Sequence, residues 1–166
     1  VRHPQRQRVN VHEVLERVVE TIASERQDGV QLFRDYDPSL PLLSADPAQL
    51  MQALLNIARN AIQSIGPDGH ILFRTRALTN FPIGAVRHKL VVSIEIEDNG
   101  PGVPADLAES IFYPLVTGRS DGTGLGLPIS QDLVSRHGGL IEYQSRPGKT
   151  IFVVRLPFGT SAPESG

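Results

Sequence analysis

Apolar residues recur at two different periods along this chain, and the order in which those periods appear limits the fold more than any other feature. Val11, Val14, Leu15, Val18, Val19 and Ile22 keep the 3.6-residue period of a helix with one buried face, as do Leu50, Leu54, Ile57, Ala58, Ala61 and Ile65. Asn10 stands where the first helix would be capped and Gly29 where it would stop. Asp46 caps the second, Pro47 takes its first position and Gly66-Pro67-Asp68-Gly69 ends it. A strand is expected over Val30 to Tyr36, before the Pro-rich turn from Asp37 to Pro41. His70 to Leu78 and Lys89 to Glu97 alternate apolar and polar residues, as antiparallel strands with one wet face do, and their connection reads as long and irregular. Leu127 to His137 reads as a third helix ended by Gly138-Gly139. Leu140 to Ser145 and Thr150 to Leu156 form a closing hairpin around Pro147-Gly148. This order lacks the regular strand-helix alternation of a doubly wound sheet. It predicts the α+β class, with helices gathered on one face of a mixed, mostly antiparallel sheet.

A length of 166 residues suits a single core. Residues 1–9 are polar, basic and broken by Pro4, and read as a linker; residues 10–158 form the folded domain, and residues 159–166 a frayed tail. The chain starts at Val1 without a signal-like segment and reads as a piece of a longer polypeptide. A formal charge of -2 gives no overall field for nucleic acid or a membrane surface, so neither is an expected partner. With no cysteine, thiolate nucleophiles, disulfides and Cys-ligated metals are excluded. Ile151 to Val154, the longest aliphatic or aromatic run, falls far short of the roughly 20 residues of a membrane helix.

Three tempting motifs fail on spacing. Gly148-Lys149-Thr150 lacks the upstream glycine and following helix of a phosphate loop, because Tyr143 stands five residues before Gly148. His12-Glu13 lacks the second histidine of a zincin, since Glu16 occupies that place, and Gly122, Gly124 and Gly126 have the wrong spacing for a dinucleotide fingerprint. Four local signals remain. Asn56 and Asn60 lie one helical turn apart, and their amide oxygens are hard ligands that could join triphosphate oxygens around Mg2+; alone they are also compatible with two solvated asparagines. Asp98-Asn99-Gly100-Pro101-Gly102 closes a strand with a carboxylate that can accept from an exocyclic amine, beside glycines that admit a flat ring; alone it is also a common turn. Phe112 to Arg119 joins an apolar anchor to a cation that could reach phosphates, or that is simply solvated. Gly122-Thr123-Gly124-Leu125-Gly126-Leu127 runs into a helix whose first amides would attract a diphosphate, the alternative being a plain hinge. Nine of the fifteen glycines fall between Gly100 and Gly148, which puts the search for function there.

Taken in order, these residues resemble the ATP-binding catalytic domain of two-component sensor histidine kinases, in the superfamily shared with gyrase, Hsp90 and MutL. Asn56 to Gln63 looks like the N box, Asp98 to Gly102 the G1 box, Phe112 to Arg119 the F box and Gly122 to Leu127 the G2 box. Arg34 to Pro41, the N box and the F box are most similar to the nitrogen-regulation branch. The resemblance implies a two-layer α/β sandwich of the Bergerat (GHKL) type, with ATP held between helices and a lid from about Val103 to Thr123. Asp98 would take the adenine amine, Asn60 the Mg2+, and Asn56 the metal or phosphate surroundings. Gly100 and Gly102 would admit the ring. Gly122, Thr123, Gly124, Leu125, Gly126 and Arg119 would border the phosphates. Many relatives have lysine where Gln63 stands, and Arg59 would compensate. In the gyrase and Hsp90 branch a water-activating glutamate precedes the metal asparagine by four residues; Asn56 holds that place here, and an amide cannot take the proton. Phosphoryl transfer to a histidine on an upstream dimerisation domain is thus expected over hydrolysis, with Asn56 and Arg119 nearest the reaction. A GHKL-type ATPase or serine kinase and a nucleotide sensor without transfer are the alternatives. None of His3, His12, His70, His88 and His137 has an acceptor context. The resemblance also implies a cytoplasmic location, an NtrC-like response regulator and a PII-type signalling protein as partners.

Overall fold

The computed structural model describes residues 2–100, 113–114 and 127–158. Its elements run β1 (Gln7–Val9), α1 (Val11–Glu25), β2 (Gln31–Asp35), β3 (Leu43–Ala45), α2 (Pro47–Ser64), β4 (His70–Ile83), β5 (Val86–Asp98), β6 (Tyr113–Pro114), α3 (Leu127–Arg136), β7 (Leu140–Arg146) and β8 (Lys149–Pro157). Among the described residues the main sheet has the order β2-β4-β5-β8-β7-β6. Every neighbouring pair is antiparallel except β2 with β4. Ile71, Phe73, Val92, Ile94, Ile96, Ile141, Phe152, Val154 and Leu156 from one face of the sheet join the buried stripes of the three helices in a single core. Burying apolar side chains from both layers is what holds helices to sheet. The α+β expectation is met.

Both long helices start where their sequences say. Asn10 Oδ1 accepts from the His12 amide at 2.9 Å, and an Asp46 carboxylate oxygen accepts from the Gln49 amide at 3.1 Å, each quenching an amide that the first helical turn leaves without a partner. At the second cap the other oxygen of Asp46 accepts from Arg2 at 2.6 Å and from the Gln5 amide at 2.8 Å. The Asp46 amide donates to His137 Nε2 at 3.0 Å. Since that ring nitrogen accepts, the proton sits on Nδ1, 2.9 Å from the Leu133 carbonyl, and His137 is neutral; burial pushes its pKa down in the same direction. His137 therefore joins the end of α3 to the start of α2.

Two differences from the sequence reading have physical causes. The connection between β4 and β5 is not long: the strands run on to Ile83 and Val86 and turn through Gly84-Ala85 alone. Asn80, Pro82 and Gly84 disguise this arm, since all three are poor strand formers. Pro82 pairs with Arg87, beyond Arg74 where the pairing of β4 with β2 ends, so on that side of β4 no strand requires an amide from it. Gly84 adopts φ 60°, which the tight turn demands. The second difference lies in the basic segment read as linker. Its Gln7–Val9 pairs antiparallel with Leu43–Ala45, and Arg6 donates to the Ser44 carbonyl at 2.9 Å.

Candidate functional site

Helix α2 carries Asn56, Asn60 and Ser64 at intervals of four, so the three polar side chains form one stripe along its flank. Asn56 and Asn60 are half-buried and both offer an amide oxygen. Arg59 faces a different neighbour. Its Nε and an Nη lie 3.1 and 2.8 Å from the two carboxylate oxygens of Glu25 at the end of α1, a bidentate pair that raises the guanidinium pKa and lowers that of the carboxyl. Asn56 and Arg59 line an open groove of ≈ 700 Å³ shared with β1, α1 and the first half of α2, whereas Asn60, Ser64 and Asp98 do not line it.

At the far end of α2 the backbone meets the end of β5. Asp98 is the last residue of that strand, and its side chain is 2 % exposed. Asp98 Oδ1 accepts from the Gly100 amide at 2.9 Å and lies 3.4 Å from Ser64 Oγ, which also donates to the Ala61 carbonyl at 3.0 Å. Asn99 Oδ1 accepts from the His70 amide at 2.8 Å, tying the turn to the start of β4. A side chain at Gly100 would put Cβ 2.7 Å from the Ser64 carbonyl oxygen and 3.0 Å from Asp98 Oδ1, so only glycine lets this turn seat on the helix end. Burial drives the Asp98 carboxyl up to about pKa 6. The Gly100 amide and Ser64 hydroxyl pull it part of the way back, the Glu97 charge pushes it higher and His70 lowers it. At neutral pH the group is an ionised acceptor with few donors facing it.

The sequence candidates thus fall into two parts. Asn56, Arg59, Asn60, Asp98 and Gly100 are placed: Asn56 and Asn60 share a flank, Asp98 and Gly100 close against the end of the same helix, and Arg59 is held by Glu25. Gly102, Arg119, Gly122, Thr123, Gly124, Leu125 and Gly126 lie outside the described residues, as does the lid expected over 103–123 apart from the Tyr113–Pro114 strand. Ser64 went unread in the sequence, and Asn99 was read only as part of the Asp98 to Gly102 motif, without a role of its own. Continuing the four-residue spacing from Asn56 and Asn60 would have found Ser64; Asn99 reaches His70 across the sheet and leaves no local signal. His12 stacks on Tyr36 with centroids 4.5 Å apart, and its Nε2 lies 2.8 Å from Thr75 Oγ1. Among the described residues no group of three or more His, Asp or Glu side chains could hold a metal by itself, and no helix is long and apolar enough to cross a membrane.

Residues 45–160 match the family model described as histidine kinase-, DNA gyrase B-, and HSP90-like ATPase. The chain belongs to that family. Within this ATPase family it is 51% identical over 149 residues to the sensory histidine kinase/phosphatase NtrB of Klebsiella oxytoca, a match covering 89% of this chain and 43% of that relative. The chain thus spans well under half the length of the curated relatives it matches. It corresponds to the catalytic ATPase domain of NtrB-like sensor histidine kinases. Among solved structures it superposes on full-length ShkA in complex with AMPPNP with a TM-score of 0.71 and 29% identity, covering 96% of this chain and 32% of that one. The nucleotide-free catalytic domain of histidine kinase ThkA gives a TM-score of 0.67 at 26% identity, covering 93% and 96% of the two chains. Histidine kinase structures thereby share the helix-on-sheet layers of this chain.

Proposed function

We propose that this chain binds Mg-ATP along the flank of α2 and serves as the ATP-binding catalytic domain of a cytoplasmic sensor histidine kinase of the nitrogen-regulation type. The observation that carries the reading is Asp98: a buried carboxylate at a strand end, ionised at neutral pH, held by a glycine turn that seats directly on the end of α2. Such a group accepts from the exocyclic amine of adenine and repels the carbonyl oxygen that guanine carries at that edge. Asn60 would offer the metal a hard neutral oxygen, with Asn56 one turn away beside the phosphates. One or two amides without a carboxylate cage suit an ion that arrives already bound to a triphosphate. The metal's contribution is to neutralise phosphate charge. Gly102 would admit the ring with Gly100, and Arg119, Gly122, Thr123, Gly124, Leu125 and Gly126 would complete the phosphate side, which Arg59 would join only by leaving Glu25.

Asn56 directs the choice of reaction. An amide cannot take a proton from water at neutral pH, so the chain positions ATP and leaves the nucleophile to another group. That nucleophile would be a histidine on an upstream dimerisation domain, from which an NtrC-like regulator takes the phosphoryl group, with a PII-type protein as a further partner. Incubating the chain with labelled Mg-ATP and a companion histidine domain should give acid-labile phosphate on the companion. Nucleotide bound without transfer would leave a sensor, and steady hydrolysis without transfer an ATPase.

A further inference from the structure

The carboxylate of Asp98 is not symmetric. Every hydrogen bond made to it among the described residues falls on Oδ1, from the Gly100 amide at 2.9 Å and from Ser64 Oγ at 3.4 Å. We infer that Ser64 is a positioning residue for purine selection: with the Gly100 amide it fixes Oδ1 and turns Oδ2 towards the ring edge, where it takes the exocyclic amine. This rests on the adenine-binding reading of Asp98 and deepens it. Three further features agree. Ser64 continues the stripe of Asn56 and Asn60, so one helix flank would address metal, phosphate and base in succession. The Gly100 backbone lies so close to Ser64 that an added Cβ would meet its carbonyl oxygen at 2.7 Å and its Oγ at 3.1 Å, so the turn and the helix end are fitted to one another. The Ser64 hydroxyl has a single proton, shared between the Ala61 carbonyl at 3.0 Å and Asp98 at 3.4 Å. Rotation of the hydroxyl alone moves that proton from one acceptor to the other without moving the backbone.

A residue acting this way changes which base is preferred, whereas one that merely closes the helix changes affinity for all nucleotides alike. The probes are Mg-ATP and Mg-ITP, whose base carries a carbonyl oxygen in place of the amine, titrated calorimetrically into the full chain. Ser64→Ala should lose about 5-fold in ATP affinity, as expected for one hydrogen bond to a charged group, while ITP affinity stays within about 2-fold. The ATP-to-ITP ratio then falls. Ser64→Thr, which keeps the hydroxyl, should restore the ratio. Because Ser64 occupies the last turn of α2 and is exposed, alanine is well tolerated there, and equal melting temperatures of the two variants will verify it. An unchanged ratio in Ser64→Ala, or equal losses for both nucleotides, overturns the inference. Asp98→Asn separates the two levels: full ATP affinity in that variant overturns the adenine reading itself, whereas its loss beside an unchanged Ser64→Ala ratio overturns the role of Ser64 alone.

Discussion

Asp46 and Asp98 stand at opposite ends of the same helix, are buried to 1 % and 2 % exposure, and have been given opposite treatment. At Asp46 burial by itself would raise the pKa, but hydrogen bonds from the Gln5 amide, Arg2 and the Gln49 amide outweigh it and hold the carboxyl at about 2. At Asp98 burial wins and the carboxyl rises to about 6. The helix dipole works in the same sense, favouring negative charge at the start of α2 and opposing it at the end. The carboxylate that caps the helix is surrounded by donors, while the one at its far end is left with few. On the adenine-binding reading proposed above, the folded chain would sacrifice stability at the second site so that the ligand's amine has something to repair.

The largest effect should come from breaking the satisfied end. Asp46→Ala removes the cap and strands the Gln49 and Gln5 amides, and should cost about 3 kcal/mol in urea unfolding, while the folded fraction keeps its ATP affinity. Next is the opposite change at the opposite end. Asp98→Asn removes a buried charge whose pKa stands about 2 units high, and should stabilise the nucleotide-free chain by about 2 kcal/mol while weakening ATP at least about tenfold. Loss of stability together with loss of binding would erase the contrast.

The pH dependence sharpens it. The folded chain holds the Asp98 proton up to about pH 6, whereas the unfolded chain releases it near 3.8, so the folded state binds more protons in that window. The contribution of Asp98 to stability falls as pH rises, and the unfolding free energies of wild type and Asp98→Asn should diverge between pH 4 and pH 6.5. Asp46 runs the other way, its contribution complete above about pH 4 and lost as pH falls towards 2. A gap between wild type and Asp98→Asn that stays the same across the window would show that the buried carboxylate carries no burden.

Smaller effects follow at the groups attached to each end. His137→Phe leaves the Asp46 amide unserved and should cost about 1.5 kcal/mol. Wild type should also lose this link in acid: burial lowers the folded pKa of His137, so the link is intact above the ordinary value near 6.5 and lost as pH falls through the folded one. Arg59→Ala, whose pair with Glu25 is 43% and 35% exposed, should change stability by less than about 0.5 kcal/mol. Calorimetry on that variant gives a second reading: a tenfold loss of ATP affinity would return Arg59 to the phosphate side.

What could be read in the sequence was what depends on neighbours in sequence. Asn10, Asp46 and Pro47 announced their helices because a cap acts within one turn, and the Asn56 and Asn60 pair was visible because four residues bring them to one flank. The β4 and β5 arm was hidden because Pro82 and Asn80 score as breakers wherever they stand, and only an open sheet edge makes Pro82 acceptable. Pairing of β1 with β3 joins residues more than thirty positions apart through three apolar-poor residues, so no local pattern marks it. The raised pKa of Asp98 was out of reach for a similar reason. Its residue type permits either the treatment of Asp46 or its opposite, and the choice is made by which donors the fold brings near.

Only Asn10 separates β1 from α1, and only Asp46 separates β3 from α2. The small ribbon of β1 and β3 therefore ties together the roots of both long helices, with Arg2 and Gln5 fastened to the same cap. Helix α2, 18 residues long, is a rod of about 27 Å from that ribbon to Ser64. A rotation of about 2° at the root carries Ser64 through roughly 1 Å, comparable to the gap between its present 3.4 Å approach to Asp98 and a short hydrogen bond. The first residues of the chain and the place where the base would be read thus stand at the two ends of one rigid rod.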